Sequence, residues 1–380
     1  MNTTRLRLSA IAIMIAAAFP IAAQCADDTA SMKQDIEQLK KQVSEFTETN
    51  SAVHLSGYGH VDYATQKNTS GGSFVEVGFN PIFHYLYKDL LLFETELEIE
   101  ANEEGEAEVG LEYANMNLFV NDYITVFGGK FLTPVGFFIQ NLHPAWINKF
   151  PSKPPGFQEE GGAAPITDIG LGVRGGFPLG STAKANYALY VGNGPRLALN
   201  GAGDGIESIV SKGGTSDPDK KKFFGGRVGV LPIPGLEFGV SAGISRVAVE
   251  PAGAPVEPSR RYTVFGGDFA YQWKGLNFHG EYIQQKVGDL ATSVAPLGGK
   301  WKTWYIQPAY RLPSTNWEPV LRYGKFTSPN ADQSLRQWGV GLNYWFAPSI
   351  VGKVAYEFNQ GLAGTANDSN RLLLQFAYGF

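Results

Sequence analysis

From Ser51 to Phe380 apolar and polar residues alternate with a period of two, segment after segment. Successive side chains of a strand point to opposite faces, so the pattern calls for extended chain with one apolar face. The stretch "LLFETELEIEA" sets Leu91, Phe93, Leu97, Ile99 and Ala101 against Leu92, Glu94, Glu96, Glu98 and Glu100. In "AVHLSGYGHVDYA", Val53, Leu55, Val61 and Tyr63 oppose His54, Ser56, Tyr58, His60 and Asp62. Similar segments recur near 74–87, 107–120, 122–131, 168–179, 182–192, 221–231, 236–247, 260–273, 276–286, 301–312, 317–326, 335–346, 350–359 and 370–380, which makes sixteen. Their lengths, about 10–14 residues, suit tilted strands crossing a bilayer, which need about 9–11.

The connections alternate too. Lys88-Asp89, Asn121-Asp122, "PLGS", "PIPG", Lys274-Gly275, "PSTN" and "APS" are turn-like, whereas most of the others are long and rich in Gly, Ser, Asn and Pro. Short turns at one rim, long loops at the other and an even strand number are the pattern of a transmembrane barrel. The 46 Gly, 25 Phe, 17 Tyr and 7 Trp agree with a β protein. Phe119, Tyr123, Trp273 and Phe346 fall near strand ends, where interfacial aromatic girdles form. The expected fold is therefore an all-β membrane protein, a sixteen-stranded antiparallel transmembrane barrel over 51–380. The last segment, "RLLLQFAYGF", puts Phe380 in register with the apolar face, and a final strand ending in an aromatic resembles the signal read by barrel-assembly machinery.

The N-terminal residues 1–26 read as a signal peptide: Arg5 and Arg7 precede the apolar run "LSAIAIMIAAAFPIAA". Cleavage after Ala23 or after Ala26 leaves a small residue at the cut. Cys25 is the only cysteine, which excludes an intrachain disulfide, and Gln24 before it fits a lipoprotein signal poorly. Residues 27–50 read as a short periplasmic coiled-coil helix, with Met32, Ile36, Leu39, Val43 and Phe46 forming a heptad seam. Two heptads are too short to stand alone, so the seam implies an oligomer or packing on the chain's own domain.

One connection stands apart. The segment 132–167 carries Phe137, Phe138, Leu142, Trp146, Ile147, Phe150 and Phe157, apolar surface that would be poorly placed in water. In a barrel of sixteen strands, wide enough for an aqueous channel, such a loop folds inward and constricts the lumen. With "GGKFLTPVG" at 128–136, "LHPAWINKFP" at 142–151, "WEPVLRY" at 317–323 and "NRLLLQFAYGF" at 370–380, the chain resembles the porin O and P family of Gram-negative outer-membrane porins. That resemblance implies a homotrimer of sixteen-stranded channels in the outer membrane, each constricted by the loop after its fifth strand. Outer-membrane lipid and lipopolysaccharide would surround it, and small ionic solutes would pass.

Alternation places Lys130, Arg174, Lys184, Arg227, Arg311, Arg322, Lys353 and Arg371 inward, with Lys149 and Lys153 on the loop. It places Glu94, Glu96, Glu98, Glu100, Glu108 and Glu112 on an opposite, acidic wall. The family's phosphate-selective members owe their preference to an arginine ladder and a lysine cluster, which Arg174, Arg227, Arg322, Lys149 and Lys153 match in part. The expectation is passive diffusion with a weak anion preference, extending to phosphate or other small anions. A cation-preferring porin and a plugged barrel serving as an outer-membrane anchor are the alternatives. Nothing points to an enzyme: there is no G-x-S-x-G, and the five histidines lack ligand spacing. Carboxylates at i and i+2 of one strand lie about 7 Å apart, too far to share a small cation unaided, so neither metal nor cofactor is expected. With 31 Lys and Arg against 36 Asp and Glu, nucleic acid is not an expected partner.

Overall fold

The computed structural model describes residues 37–38, 51–67, 71–102, 104–159, 161–253, 255–361 and 369–380. The signal peptide and the seam residues Met32, Ile36, Leu39, Val43 and Phe46 lie outside the described residues. Contacts divide the chain into residues 1–50 and Ser51–Phe380.

The second unit consists of β1 (Ser51–Gln66), β2 (Gly72–Tyr87), β3 (Leu91–Ala101), β4 (Ala107–Asn121), β5 (Ile124–Leu132), β6 (Thr167–Leu179), β7 (Ala183–Gly192), β8 (Arg196–Leu199), β9 (Ile206–Val210), β10 (Phe223–Ile233), β11 (Leu236–Val247), β12 (Arg260–Trp273), β13 (Leu276–Val287), β14 (Gly299–Tyr310), β15 (Trp317–Thr327), β16 (Leu335–Ala347), β17 (Ile350–Gly361) and β18 (Arg371–Gly379). Sixteen of them close into an antiparallel barrel in sequence order, with β18 returning to β1. The other two, β8 and β9, pair only with each other, in the connection between β7 and β10. That hairpin is not visible in the sequence pattern, where its glycines and polar residues read as loop. The barrel strands match the alternating segments to within a few residues.

Closure leaves no unpaired strand edge, the condition for placing a sheet in hydrocarbon. At the seam Phe380 exchanges backbone hydrogen bonds with Gly57, at 3.0 and 2.9 Å, and its ring stacks on Phe79. The outer surface is apolar: Leu171, Phe238, Val240, Phe265, Trp338, Phe358 and Phe376 are all exposed. In water so continuous an apolar surface would aggregate, whereas in a bilayer it is the required contact. Among the described residues no helix is long and apolar enough to cross a membrane.

The interior is divided. Residues 133–166 fold into the barrel, and Val135, Phe138, Ile139, Phe157, Ala163, Ala164 and Ile166 pack against inward side chains that include Phe127, Phe131, Tyr190, Phe223, Tyr262, Ile283, Trp301, Tyr305 and Phe326. The loop thus covers apolar inner surface of β5–β7 and β10–β15, and through Phe150, Ala145 and Trp146 it reaches Ala309, Val320 and Ala355 and the cluster of Trp345, Val351 and Ala377 on β16–β18.

This packing overturns the inward placement of Lys130. Phe127 and Phe131 point inward against the loop, so alternation turns Lys130 outward, where its ammonium donates to the Leu111 carbonyl at 2.5 Å. On a wall covered by an apolar loop both faces of a strand are hydrophobic, and the rule that the apolar face meets lipid loses its power.

Candidate functional site

The loop is held by a series of specific contacts. Near its start Gly136 turns with φ +80°, and the backbone N–H groups of Gly136, Phe137 and Phe138 point at β11 and β13. Ser241 accepts from Gly136 at 2.9 Å, and the buried Glu281 carboxylate accepts from Phe137 at 3.1 Å and Phe138 at 3.0 Å. Phe138–Asn141 form a single helical turn, whose first amides have no partner within the turn and find one in this carboxylate.

Farther along, Arg322 on β15 donates to the Ser152 carbonyl at 2.6 Å and to its hydroxyl at 2.5 Å. The same guanidinium pairs with Glu357 at 2.9 Å and lies over the Phe150 ring, 4.1 Å from its centre. The Lys353 ammonium donates to the carbonyls of Asn148, at 2.6 Å, and of Ala145. Asn343 donates to the Lys149 carbonyl at 3.0 Å, and the Lys149 ammonium pairs with Glu318 at 3.3 Å. Backbone carbonyls without helix or sheet partners must be satisfied somewhere, and inward-facing cations of β15 and β17 satisfy them here.

Arg322 and Lys353 are therefore buried beneath the loop. Arg227 faces inward as well, bridging Asp268 and Glu237 at 2.5 and 2.8 Å. Arg371 pairs with Glu357 at 2.5 Å and is partly open to the lumen. Arg174 donates to Asn117 at 2.8 Å and approaches Glu94 to 3.8 Å. Arg311 lies over the Trp345 ring, 4.8 Å from its centre. Lys184 is exposed at the short-turn end of β7, and Glu108 is exposed near the start of β4.

Two cavities beside the loop are bordered by clusters of charged side chains. One, of about 1070 Å³, is bordered by Asp62, Glu76, Glu98, Glu100, Glu112 and Glu159 and by only two cationic side chains, Lys153 and Arg371. The second, of about 630 Å³, is bordered by Glu94, Glu96, Glu237, Arg174 and Arg227. His143 of the loop borders both. Its Nδ1 lies 2.6 Å from the Ile139 carbonyl, and its Nε2 faces Glu96, 3.9 Å away, which accepts from the Tyr58 hydroxyl at 2.8 Å. Tyr58, Glu96 and His143 thus stand where the two cavities approach each other, and we refer to them as the neck. His143 and Tyr58 belong to the neck although the sequence offers no signal for it beyond their places on the loop and on β1.

At the larger cavity, Lys153 of the loop pairs with Glu159 at 3.3 Å, and Lys212 reaches the same carboxylate at 3.2 Å. Burial alone would raise the pKa of Glu159, but these two ammonium groups outweigh it and hold it below its ordinary 4.5. Burial would lower that of Lys153, but Glu159, Glu112 and Glu98 together raise it above 10.5. The depressed carboxylate contributes fully above 4.5 and loses its contribution as acid titrates it; the raised ammonium contributes below 10.5 and loses it in base. The pair is therefore intact throughout the neutral range.

The fold is that of Gram-negative outer-membrane channels. The outer-membrane channel DcaP of Acinetobacter baumannii superimposes with a TM-score of 0.59 at 13% identity, over 88% of this chain and 98% of that one. An anion-selective porin from Comamonas acidovorans gives 0.56 at 14% identity over 87% and 100%, and OmpF of Salmonella typhi gives 0.55 at 13% over 87% and 98%. No family model and no curated protein matches the sequence.

Proposed function

We propose that the protein is a non-enzymatic, general porin of the outer membrane that lets small hydrophilic solutes diffuse through a lumen narrowed by residues 133–166. The observation that carries this reading is the pair of charge-lined cavities on either side of Tyr58, Glu96 and His143 inside an otherwise lipid-compatible barrel. A loop this heavily bonded to the wall leaves a fixed aperture. The porin-type fold supports oligomeric assembly, most simply a homotrimer, and insertion through the aromatic-terminated β18.

The distribution of charge favours cations over anions. Of the ten basic residues expected at the pore, Lys130 faces outward, and Arg322 and Lys353 spend their charge on the loop. Six carboxylates and two cations border the larger cavity. A low-dielectric wall focuses that field, and such focusing raises the local counter-ion concentration. An anion preference, with phosphate as a special case, is the second reading; Arg174 and Arg227 at the smaller cavity are its support.

Reversal potential across a planar bilayer in a potassium chloride gradient decides between them. The expected sign is that of potassium preference. Glu98→Gln combined with Glu112→Gln should move it toward chloride, and Lys130→Gln should leave it unchanged because that ammonium faces away from the lumen. A chloride-preferring unmodified channel would give the field to Arg174 and Arg227 instead.

A further inference from the structure

We infer that His60, Asp62 and Glu76 form a binding site for a divalent transition-metal ion in the wall of the larger cavity. The site follows from strand geometry. On β1 His60 and Asp62 are two residues apart and share the inward face. Across the ladder Asp62 is paired directly with Glu76 of β2, while the partner of His60 is Gly78. With no side chain at Gly78, the imidazole lies across β2 and reaches Glu76, with Nε2 2.8 Å from Oε1. A Cβ at position 78 would sit 2.4 Å from the His60 Cε1. The register slips between Asp62 and Tyr63, and bulges of this kind recur beside functional sites because they re-aim side chains.

One donor atom from each of the three side chains lies within 4.8 Å of the other two. Ligands of a single zinc-sized ion at bonds of about 2.1 Å are about 3–3.5 Å apart, so closure needs only small rotations of the carboxylates. The set is incompletely satisfied without an ion: Asp62 Oδ1 and His60 Nδ1 are buried with no hydrogen-bond partner. Glu100, paired with Gly78 on its other side, adds a further carboxylate to the same cavity wall. One imidazole among carboxylates suits zinc and its first-row neighbours better than magnesium or calcium, which take oxygen ligands alone. All four side chains border the cavity, which gives the ion its entry path.

This site goes beyond the proposed diffusion function, and its test does not depend on conduction. Untagged, detergent-solubilised full-length protein is titrated with zinc chloride and bound zinc is counted per chain. The expected result is one saturable zinc per chain, weakened about tenfold or more by Asp62→Asn, by Glu76→Gln and by Gly78→Ala. The last variant removes no ligand and acts only by displacing the imidazole, so its effect separates a built site from general attraction to acidic residues. Absence of saturable binding, or binding that survives all three substitutions, overturns the inference; if one variant fails to fold, the other two decide.

Discussion

Arg322→Met will convert a quiet channel into a flickering one. The guanidinium of Arg322 is fully buried and bonds at once to Ser152, Gln337 and Glu357. Methionine fills a similar volume over Phe150 but supplies no donor, leaving the Ser152 carbonyl with the Asn148 amide alone and Glu357 with Arg371 and the Ser152 hydroxyl. Breaking a buried ion pair by removing one member costs about 3–5 kcal/mol, and the surviving Arg371 contact places this case near the lower figure. The backbone ladders of β15 and β17 stay paired, so the loss falls on the attachment of the loop. About 3 kcal/mol changes the ratio of docked to undocked loop by about two orders of magnitude. Open-channel current noise should rise sharply, and the loop should become susceptible to proteolysis from the side of the larger cavity. Noise equal to that of the unmodified channel would mean that Lys353 and Asn343 hold the loop without Arg322.

Gly136→Ala should release the other end of the loop. Position 136 has φ +80°, which costs an alanine about 1 kcal/mol or more, and an added Cβ would lie 1.5 Å from the Glu281 carboxylate. The carboxylate must move, and with it go the bonds that orient Phe137 and Phe138. Hydrogen bonds of this kind contribute about 0.5–1.5 kcal/mol each, so with the backbone cost the combined loss is of the same order as at Arg322. Here the apolar anchor Phe138 is displaced as well, and mean conductance should rise along with the noise. An alanine variant with unchanged conductance would show that Phe138 and Phe157, packed on Tyr305, fix the aperture by themselves.

The barrel itself was legible because period-two alternation is a local property of the chain, and every strand repeats it. Leu91 through Ala101 announce their two faces without help from any other segment. Lys130 shows where that legibility ends: its orientation depends on a loop that packs against Phe127 and Phe131, and no count along β5 contains that contact. The same holds for Lys353 and Arg322, whose inward direction follows from alternation but whose burial depends on carbonyls of Ala145, Asn148 and Ser152, roughly 170–210 residues earlier in the chain. The proposed metal ligands escaped notice for a related reason. Spacing along one strand says nothing of a third ligand, and only the pairing of β1 with β2 brings Glu76 opposite Asp62 and within reach of His60.

The central claim, a continuous aqueous passage fixed by an inward loop, is tested most directly by single-channel recording of the purified protein in a planar bilayer. The account requires stepwise insertions, each with a steady ohmic current, because it routes solutes from one cavity to the other past Tyr58, Glu96 and His143. Insertion of folded barrels, verified by heat-dependent electrophoretic mobility, with no current above that of the bare bilayer would contradict it and leave the barrel a plugged anchor.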